Sequence, residues 1–317
     1  MAGAGARLYR GLEGLFAVYK PPGVSWNVVR DTVETSLLKG MNSAPPPAPR
    51  LQVRFLPASS ALPDGSKELT LTAVRVPVLA DHPLVTGPQF RGVKVGVGHR
   101  LDVPSSGVLV LGVGRGNRLL TELYNCHLSR DYTLHGQFGR ATEDFSPTGR
   151  LIERTTYSHI TRDKLEKVLA VIQGTHQRAL LTYSGVDLQT QEAYDLAVKG
   201  LLRPMDKSPP LITGLRCLSY EPPDFTLEVQ CLNETQKYLR KLVHEVGLEL
   251  RSAAVCCGVR RTRDGPFTLQ HALPHQRWTL THVTQAVREA DGAVRDMLDR
   301  EGVTEAERRQ RSQERGR

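Results

Sequence analysis

The chain has 317 residues, 39% of them hydrophobic and 24% charged, which suits a protein with a packed core arranged as one large domain or two of medium size. No apolar run approaches the roughly 20 residues that a membrane-spanning helix needs, so a helical span of that kind is excluded. The formal net charge of +9 and pI near 9.5 fit an anionic polymer partner, because each neutralised phosphate releases counterions, although charge alone fits a merely basic enzyme equally well.

Residues 1–13 form an N-terminal segment. It carries Arg7 and Arg10 and no acid before Glu13, a weak likeness to an Arg-rich, acid-poor presequence. An apolar stretch from Leu15 predicts a strand. Ser25 is placed to cap a helix whose apolar stripe is Val28, Val29, Val33 and Leu37. Residues 42–66 are rich in Pro, Ala and Ser, with Pro45-Pro46-Pro47-Ala48-Pro49, and read as an exposed linker or extended surface loop. They belong to a long insertion over about residues 40–92, in which the alternation from Leu69 to Val78 predicts an added strand.

The most informative stretch follows: Gly98-His99-Arg100-Leu101-Asp102-Val103-Pro104-Ser105-Ser106-Gly107-Val108-Leu109-Val110-Leu111-Gly112. Its apolar run, Val108 to Leu111, reads as a buried strand or the start of a buried helix. Asp102 sits between a basic pair and a small-residue turn. It can be a reactive carboxylate or a loop Asp that only holds the turn. Farther on, Leu165, Val168, Leu169 and Ile172 fall at i, i+3, i+4 and i+7, predicting a helix over 161–172 with Thr161 at its cap. Phe225 to Cys231 alternates as a half-buried strand, and Leu239, Leu242, Val243, Val246 and Leu250 mark one helix face. Residues 286–317 are charged, with Arg308, Arg309, Arg311, Arg315 and Arg317, and read as a helix fraying into a solvated tail, with RNA contact the lesser alternative.

The five cysteines, Cys126, Cys217, Cys231, Cys256 and Cys257, show no C-x-x-C pair and read as reduced, mostly buried hydrophobes of a reducing compartment. The ten histidines show no H-E-x-x-H pair, so no metal and no cofactor is expected.

The Asp102 stretch resembles the catalytic motif of the pseudouridine synthases. His99-Arg100-Leu101-Asp102 and Ser105-Ser106-Gly107 are spelled as in RluA-type enzymes. Three other segments are similar to TruB-type enzymes: Lys20-Pro21-Pro22-Gly23-Val24-Ser25 after the first strand, Arg130-Asp131-Tyr132 followed by Phe138-Gly139-Arg140-Ala141-Thr142-Glu143-Asp144, and Cys231 to Gly247, about two residues longer than the family pattern. The resemblance covers about residues 14–285.

It implies an α+β pseudouridine synthase core, with a mixed, largely antiparallel sheet flanked by helices, over residues 14–285. The implied activity is isomerisation of specific uridines in RNA, in a tRNA TΨC-type loop or in mitochondrial mRNA or rRNA. By the same resemblance Asp102 is the catalytic acid, Tyr132 stacks on the flipped base and Arg240 pairs with Asp102. Lys20 supports the Asp102 loop, Tyr238 is a pocket tyrosine near the base, and Val259 packs against the uracil. TruB enzymes place a loop-wedging His five residues before the Asp. Here position 97 is Val, and His99 or Arg100 is the candidate substitute. After residue 285 too little chain follows for the PUA domain that usually grips RNA, so protein partners in mitochondrial RNA processing are considered. The resemblance is to the mitochondrial branch, with nucleus or cytosol the alternative compartment. Two rival readings stand beside this one: a non-catalytic RNA-binding scaffold or chaperone on the same fold, and, more remotely, a hydrolase releasing free uracil.

Overall fold

The computed structural model describes residues 9–43, 48–61, 67–186, 189–198, 202–204 and 208–315. The segment 1–8, where a targeting signal is expected, lies outside the described residues.

Its centre is a mixed sheet. Strand β1 (Gly14–Lys20) pairs antiparallel with β5 (Ser106–Val113), and β5 pairs parallel with β11 (Ala254–Asp264). From β11 the sheet continues antiparallel through β6 (Arg130–Phe138), β10 (Asp224–Leu232) and β9 (Leu211–Glu221). The short β13 (Ala272–Leu273) joins β1 in parallel, while β4 (Val95–Val97) and β12 (Phe267–Thr268) sit on β5 and β11. A separate two-stranded piece pairs β7 (Arg140–Thr142) with β8 (Leu151–Arg154). The expected α+β core with a largely antiparallel sheet is what the chain forms.

Two kinds of strand explain two kinds of sequence pattern. In β1 and β5 both faces are covered. Phe16, Val18, Leu109 and Leu111 pack against helix α1 (Trp26–Asn42) and the start of helix α6 (Leu280–Arg315). Leu15, Ala17, Val108 and Val110 pack against helix α2 (Gly116–Asn125) and a later part of α6. A strand buried on both sides reads as a continuous apolar run, which is why Val108–Leu111 could not be told from a helix start. In β10 only one face is covered: Phe225, Leu227, Val229 and Cys231 meet helices α3 (Arg162–Ser184) and α5 (Gln236–Glu249). That is the alternation seen in its sequence.

The helix starts at Ser25 and Thr161 are as the sequence predicts, and a third is capped in the same way. Ser25 caps α1 by accepting from the Asn27 amide, Thr161 caps α3 by accepting from Lys164, and Thr235 caps α5 by accepting from Tyr238. The α1 stripe is corrected at one position: its buried residues are Val29, Val33, Leu37 and Met41, and Val28 is exposed. Val28 lies one residue off the i, i+4 row that the other four share.

The described part of the insertion differs from the expected linker, while residues 44–47, with Pro45-Pro46-Pro47, and 62–66 lie outside the described residues. Residues 51–61 form β2 (Leu51–Ala61), paired antiparallel along its length with β3 (Lys67–Pro77). The pair is a two-stranded ribbon off the main sheet. The strand expected near Leu69–Val78 is β3, and the Pro- and Ser-rich stretch before it supplies its partner.

Candidate active site

The Asp102 loop is built from the ends of β1, β5 and α5. Leu101 points into the core and is fully buried, leaving its neighbours Arg100 and Asp102 toward solvent. Asp102 Oδ1 accepts the Ser105 amide at 3.2 Å, and Oδ2 accepts Arg240 Nη1 at 2.6 Å. Both groups are partly covered, with side-chain exposures of 30% for Asp102 and 17% for Arg240. The guanidinium therefore meets the carboxylate in a half-dry setting, where such a hydrogen bond is stronger than in water.

Lys20, at the end of β1, is fully buried. Its Nζ donates to the carbonyls of Pro21 (3.1 Å), Val103 (3.2 Å) and Ser105 (2.5 Å). The Gly23 amide adds a bond to the Val103 carbonyl at 2.8 Å. The three N–H bonds of one ammonium thus tie the β1 turn to the residues on either side of Pro104. At the same loop Gly107, with φ +113°, lies against the backbone of Arg261. A Cβ there would meet the Arg261 carbonyl oxygen at 2.1 Å, so only glycine fits the motif position.

Burial pushes the Lys20 ammonium down to about 8; the Asp102 charge opposes the shift and Arg261 adds to it. Above that pH the neutral amine has two N–H bonds for three carbonyls, and Asp102 loses a nearby positive charge. We expect kcat to fall as pH rises through about 8. Stability moves the other way. The folded chain binds fewer protons at Lys20 than the unfolded chain between about 8 and 10.5, so deprotonation there favours folding. A kcat profile flat from about pH 7 to 9.5, measured alongside Lys20→Met, would show that the ammonium does not support the loop.

His99 is held in place. Arg261 is fully buried and sends Nη2 to the His99 carbonyl at 2.7 Å and Nη1 to the ring Nδ1 at 3.0 Å; its Nε donates to the Val108 carbonyl at 2.7 Å. A guanidinium only donates, so Nδ1 accepts and the ring is neutral. Desolvation, helped by the Arg130 and Arg261 charges, pushes His99 down to about 4. Of the two candidates for a loop-wedging group, His99 is thus half-buried and tied to Arg261, and Arg100 is exposed.

Tyr132 is fully buried on β6, in one apolar cluster with Leu101, Leu134 and Val259. Its hydroxyl donates to Glu234 Oε1 at 2.6 Å. Burial and the Glu234 charge push the phenol well above its ordinary value, so it stays a neutral donor. Glu234 is also bound by Arg130 Nη1, at 3.3 Å from each carboxylate oxygen, and Arg130 Nε reaches Asp264 Oδ1 at 3.1 Å. Asp264 in turn lies 3.5 Å from Arg261. A continuous buried chain of charges therefore runs from Tyr132 to His99.

Residues two apart on a helix do not share a face, so while Arg240 meets Asp102, Tyr238 turns toward α3, with its hydroxyl 3.4 Å from His176 Nε2. The residue one turn before Arg240 is Gln236, whose Nε2 donates to the Arg100 carbonyl at 3.2 Å. Sequence reasoning missed Gln236, Glu234 and Arg261, and gave Arg130 no role beyond its place in the Arg130-Asp131-Tyr132 segment. The i, i+4 spacing of Gln236 and Arg240 was a usable signal; no local pattern marks Glu234 or Arg261 as buried.

All five cysteines are free thiols. Among the described residues no group of three or more His, Cys, Asp or Glu is arranged to hold a metal ion, and no helix is long and apolar enough to cross a membrane.

Comparison with known proteins gives consistent results. The family profile described as TruB family pseudouridylate synthase (N terminal domain) matches residues 88–237. The chain is 61% identical over 291 residues to "Pseudouridylate synthase TRUB2, mitochondrial" of Homo sapiens, covering 91% of this chain and 87% of that protein. It is 59% identical over 302 residues to the protein of the same name from Xenopus tropicalis, covering 93% and 92%. To "Pseudouridylate synthase TRUB1" of Homo sapiens it is 33% identical over 278 residues, covering 87% and 68%.

Proposed function

This chain belongs to the TruB family of pseudouridylate synthases, and we propose that it isomerises uridine in RNA at a cleft centred on Asp102. It is an isomerase of mitochondria, the compartment carried in the names of its relatives. The observation that carries the site assignment is the 2.6 Å pair between Asp102 and Arg240, two residues 138 positions apart. A scaffold that only bound RNA would have no use for a carboxylate held by a guanidinium at a half-open loop.

The reaction breaks the N1–C1′ bond of uridine, turns the uracil and joins C5 to C1′; the C5 proton is lost and N1 gains one. Asp102 supplies the carboxylate beside the sugar, as nucleophile or as base at the ribose. Arg240 and the Ser105 amide hold it aimed. The target uridine must leave its stack, at a cost of a few kcal/mol that is least in loops. Tyr132 and Val259 form the apolar wall for the base, and Tyr132 must become accessible as the base enters, because it is sealed in the free protein. Lys20 holds the loop. Arg100 is the substrate-facing residue of the basic pair, and Tyr238 braces α5 against α3. The RNA classes that fit are a tRNA TΨC-type loop or a mitochondrial mRNA or rRNA uridine, and further grip on the RNA can come from protein partners.

Pseudouridine mapping in cells carrying Asp102→Asn against wild type, with mitochondrial and cytosolic RNA separated, tests this. The expected result is a set of mitochondrial sites lost with the variant. Unchanged maps in both compartments would remove the catalytic assignment, and sites lost only from cytosolic RNA would remove the compartment.

A further inference from the structure

Arg100 is presented with unusual care for an exposed arginine. The backbone on either side is fixed: His99 is bound by Arg261, Leu101 is sunk in the core, and the Arg100 carbonyl is held by Gln236. Its guanidinium carbon lies 4.5 Å from the centroid of the Trp26 ring, at the first turn of α1. Trp26 itself packs against the cluster under β1 and β5, so the ring is a fixed seat. A second guanidinium, Arg30, lies 5.6 Å from the same ring, but its charge is matched by Asp31 through bonds of 2.9 and 2.8 Å. Among the described residues no carboxylate pairs with Arg100. The chain thus holds an uncompensated cation over an aromatic face, two residues before Asp102, whose loop Lys20 and Gly23 fasten down at Val103 and Ser105.

We propose that Trp26 and Arg100 together form a clasp for a backbone phosphate of the RNA, next to the uridine that enters the Asp102 cleft. The inference rests on the reading that this cleft receives RNA, and it adds the chemistry of one subsite and a residue, Trp26, with no role in the isomerisation. A guanidinium seated over a ring keeps N–H donors pointing outward, and its fork matches two phosphate oxygens. Filling the gap left by a flipped base would require Arg100 to leave Trp26; binding a phosphate would not. The contact is independent of base sequence, so it can be read with a generic probe.

The test is equilibrium binding of oligouridylate RNA to the full-length protein across a range of salt, with Asp102→Asn as the common background so that bound RNA is not converted. Losing one phosphate contact on a single strand lowers the slope of log affinity against log salt by about 0.7. Arg100→Gln is expected to show that change, with several-fold weaker binding at low salt. Trp26→Leu is expected to reproduce it, and the double variant to add little. An unchanged slope in Arg100→Gln overturns the clasp. So does turnover lost on an otherwise wild-type chain with the slope kept, which would place Arg100 inside the RNA loop instead. A normal slope in a folded Trp26→Leu removes the ring from the proposal. Melting curves accompany each variant, and because Arg100 is exposed its substitution decides the matter even where Trp26→Leu fails to fold. The failure of the function proposed above is separable: a wild-type chain that converts no uridine, with the slope still lowered in Arg100→Gln, keeps the clasp and loses the activity.

Discussion

Asp102→Asn is expected to reduce pseudouridine formation by about 10³-fold or more, a barrier increase of about 4 kcal/mol, while RNA affinity stays within a few-fold of wild type. The carboxamide has nearly the volume of the carboxylate, so the loop can close as before. What it lacks is the charge. Arg240 Nη1 and the Ser105 amide both donate to the carboxylate, and an amide offers one good acceptor where two are wanted. One of the two bonds is lost, and the group left at the sugar is neither a nucleophile nor a base. Stability changes little by comparison, because the pair is partly exposed and such pairs contribute about 0–1 kcal/mol. Affinity has no reason to fall, since an anion facing a polyanion is at best neutral toward it, and the salt slope should be that of wild type. The comparison needs single-turnover conversion on a modified substrate RNA, binding on the same RNA and a melting curve. Conversion within tenfold of wild type would mean that another group does the chemistry. Equal loss of conversion and affinity would mean that the loop had collapsed.

How far the sequence revealed this site depends on the residue. The face of α5 was plain, because Leu239, Leu242, Val243, Val246 and Leu250 recur at helical spacing and all are buried. The pairing of Asp102 with Arg240 could be drawn only from a family resemblance, since no local pattern links residues 138 positions apart. Tyr238 and Arg240 keep the Tyr-x-Arg spacing of the family pattern, and the tyrosine, two residues before the arginine on α5, faces α3. The ribbon of β2 and β3 was half legible: β3 alternates, whereas β2 ends in Pro, Ala and Ser, and its pairing comes from the partner strand rather than from its own propensity. The charges around Tyr132 were the least legible. Arg130, Glu234, Arg261 and Asp264 are spread over 135 positions, and only the tertiary fold shows that they neutralise one another.

Glu234→Ala should be among the most damaging single substitutions for stability, costing about 3–5 kcal/mol out of the 5–15 kcal/mol typical of a folded domain. Its side chain has no exposure, and it accepts from Tyr132 at 2.6 Å and from Arg130 at 3.3 Å. Removing it strands two buried donors at once. The Tyr132 hydroxyl is left without its acceptor, and Arg130, with side-chain exposure of 8%, keeps Asp264 as its remaining ion-pair partner at 3.1 Å. Burial alone disfavours the Arg130 charge, and it is Glu234 and Asp264 that hold it in place. The loss is therefore mainly an uncompensated cation rather than a missing bond, and Arg130→Met added to Glu234→Ala should recover a good part of it. Glu234→Gln, which keeps an acceptor for Tyr132 but no charge, should fall between. The network also fixes how the protein meets acid. Although burial works against it, Arg261 and Arg130 hold Asp264 below its ordinary 3.8. Its stabilising share is complete above that value and is lost as pH falls through the lower folded one. Urea unfolding of the full-length chain, of these three variants and of Arg130→Met alone gives these numbers directly. If Glu234→Ala costs less than about 1 kcal/mol, or Arg130→Met makes it worse by its full separate cost, the charges do not act as one unit.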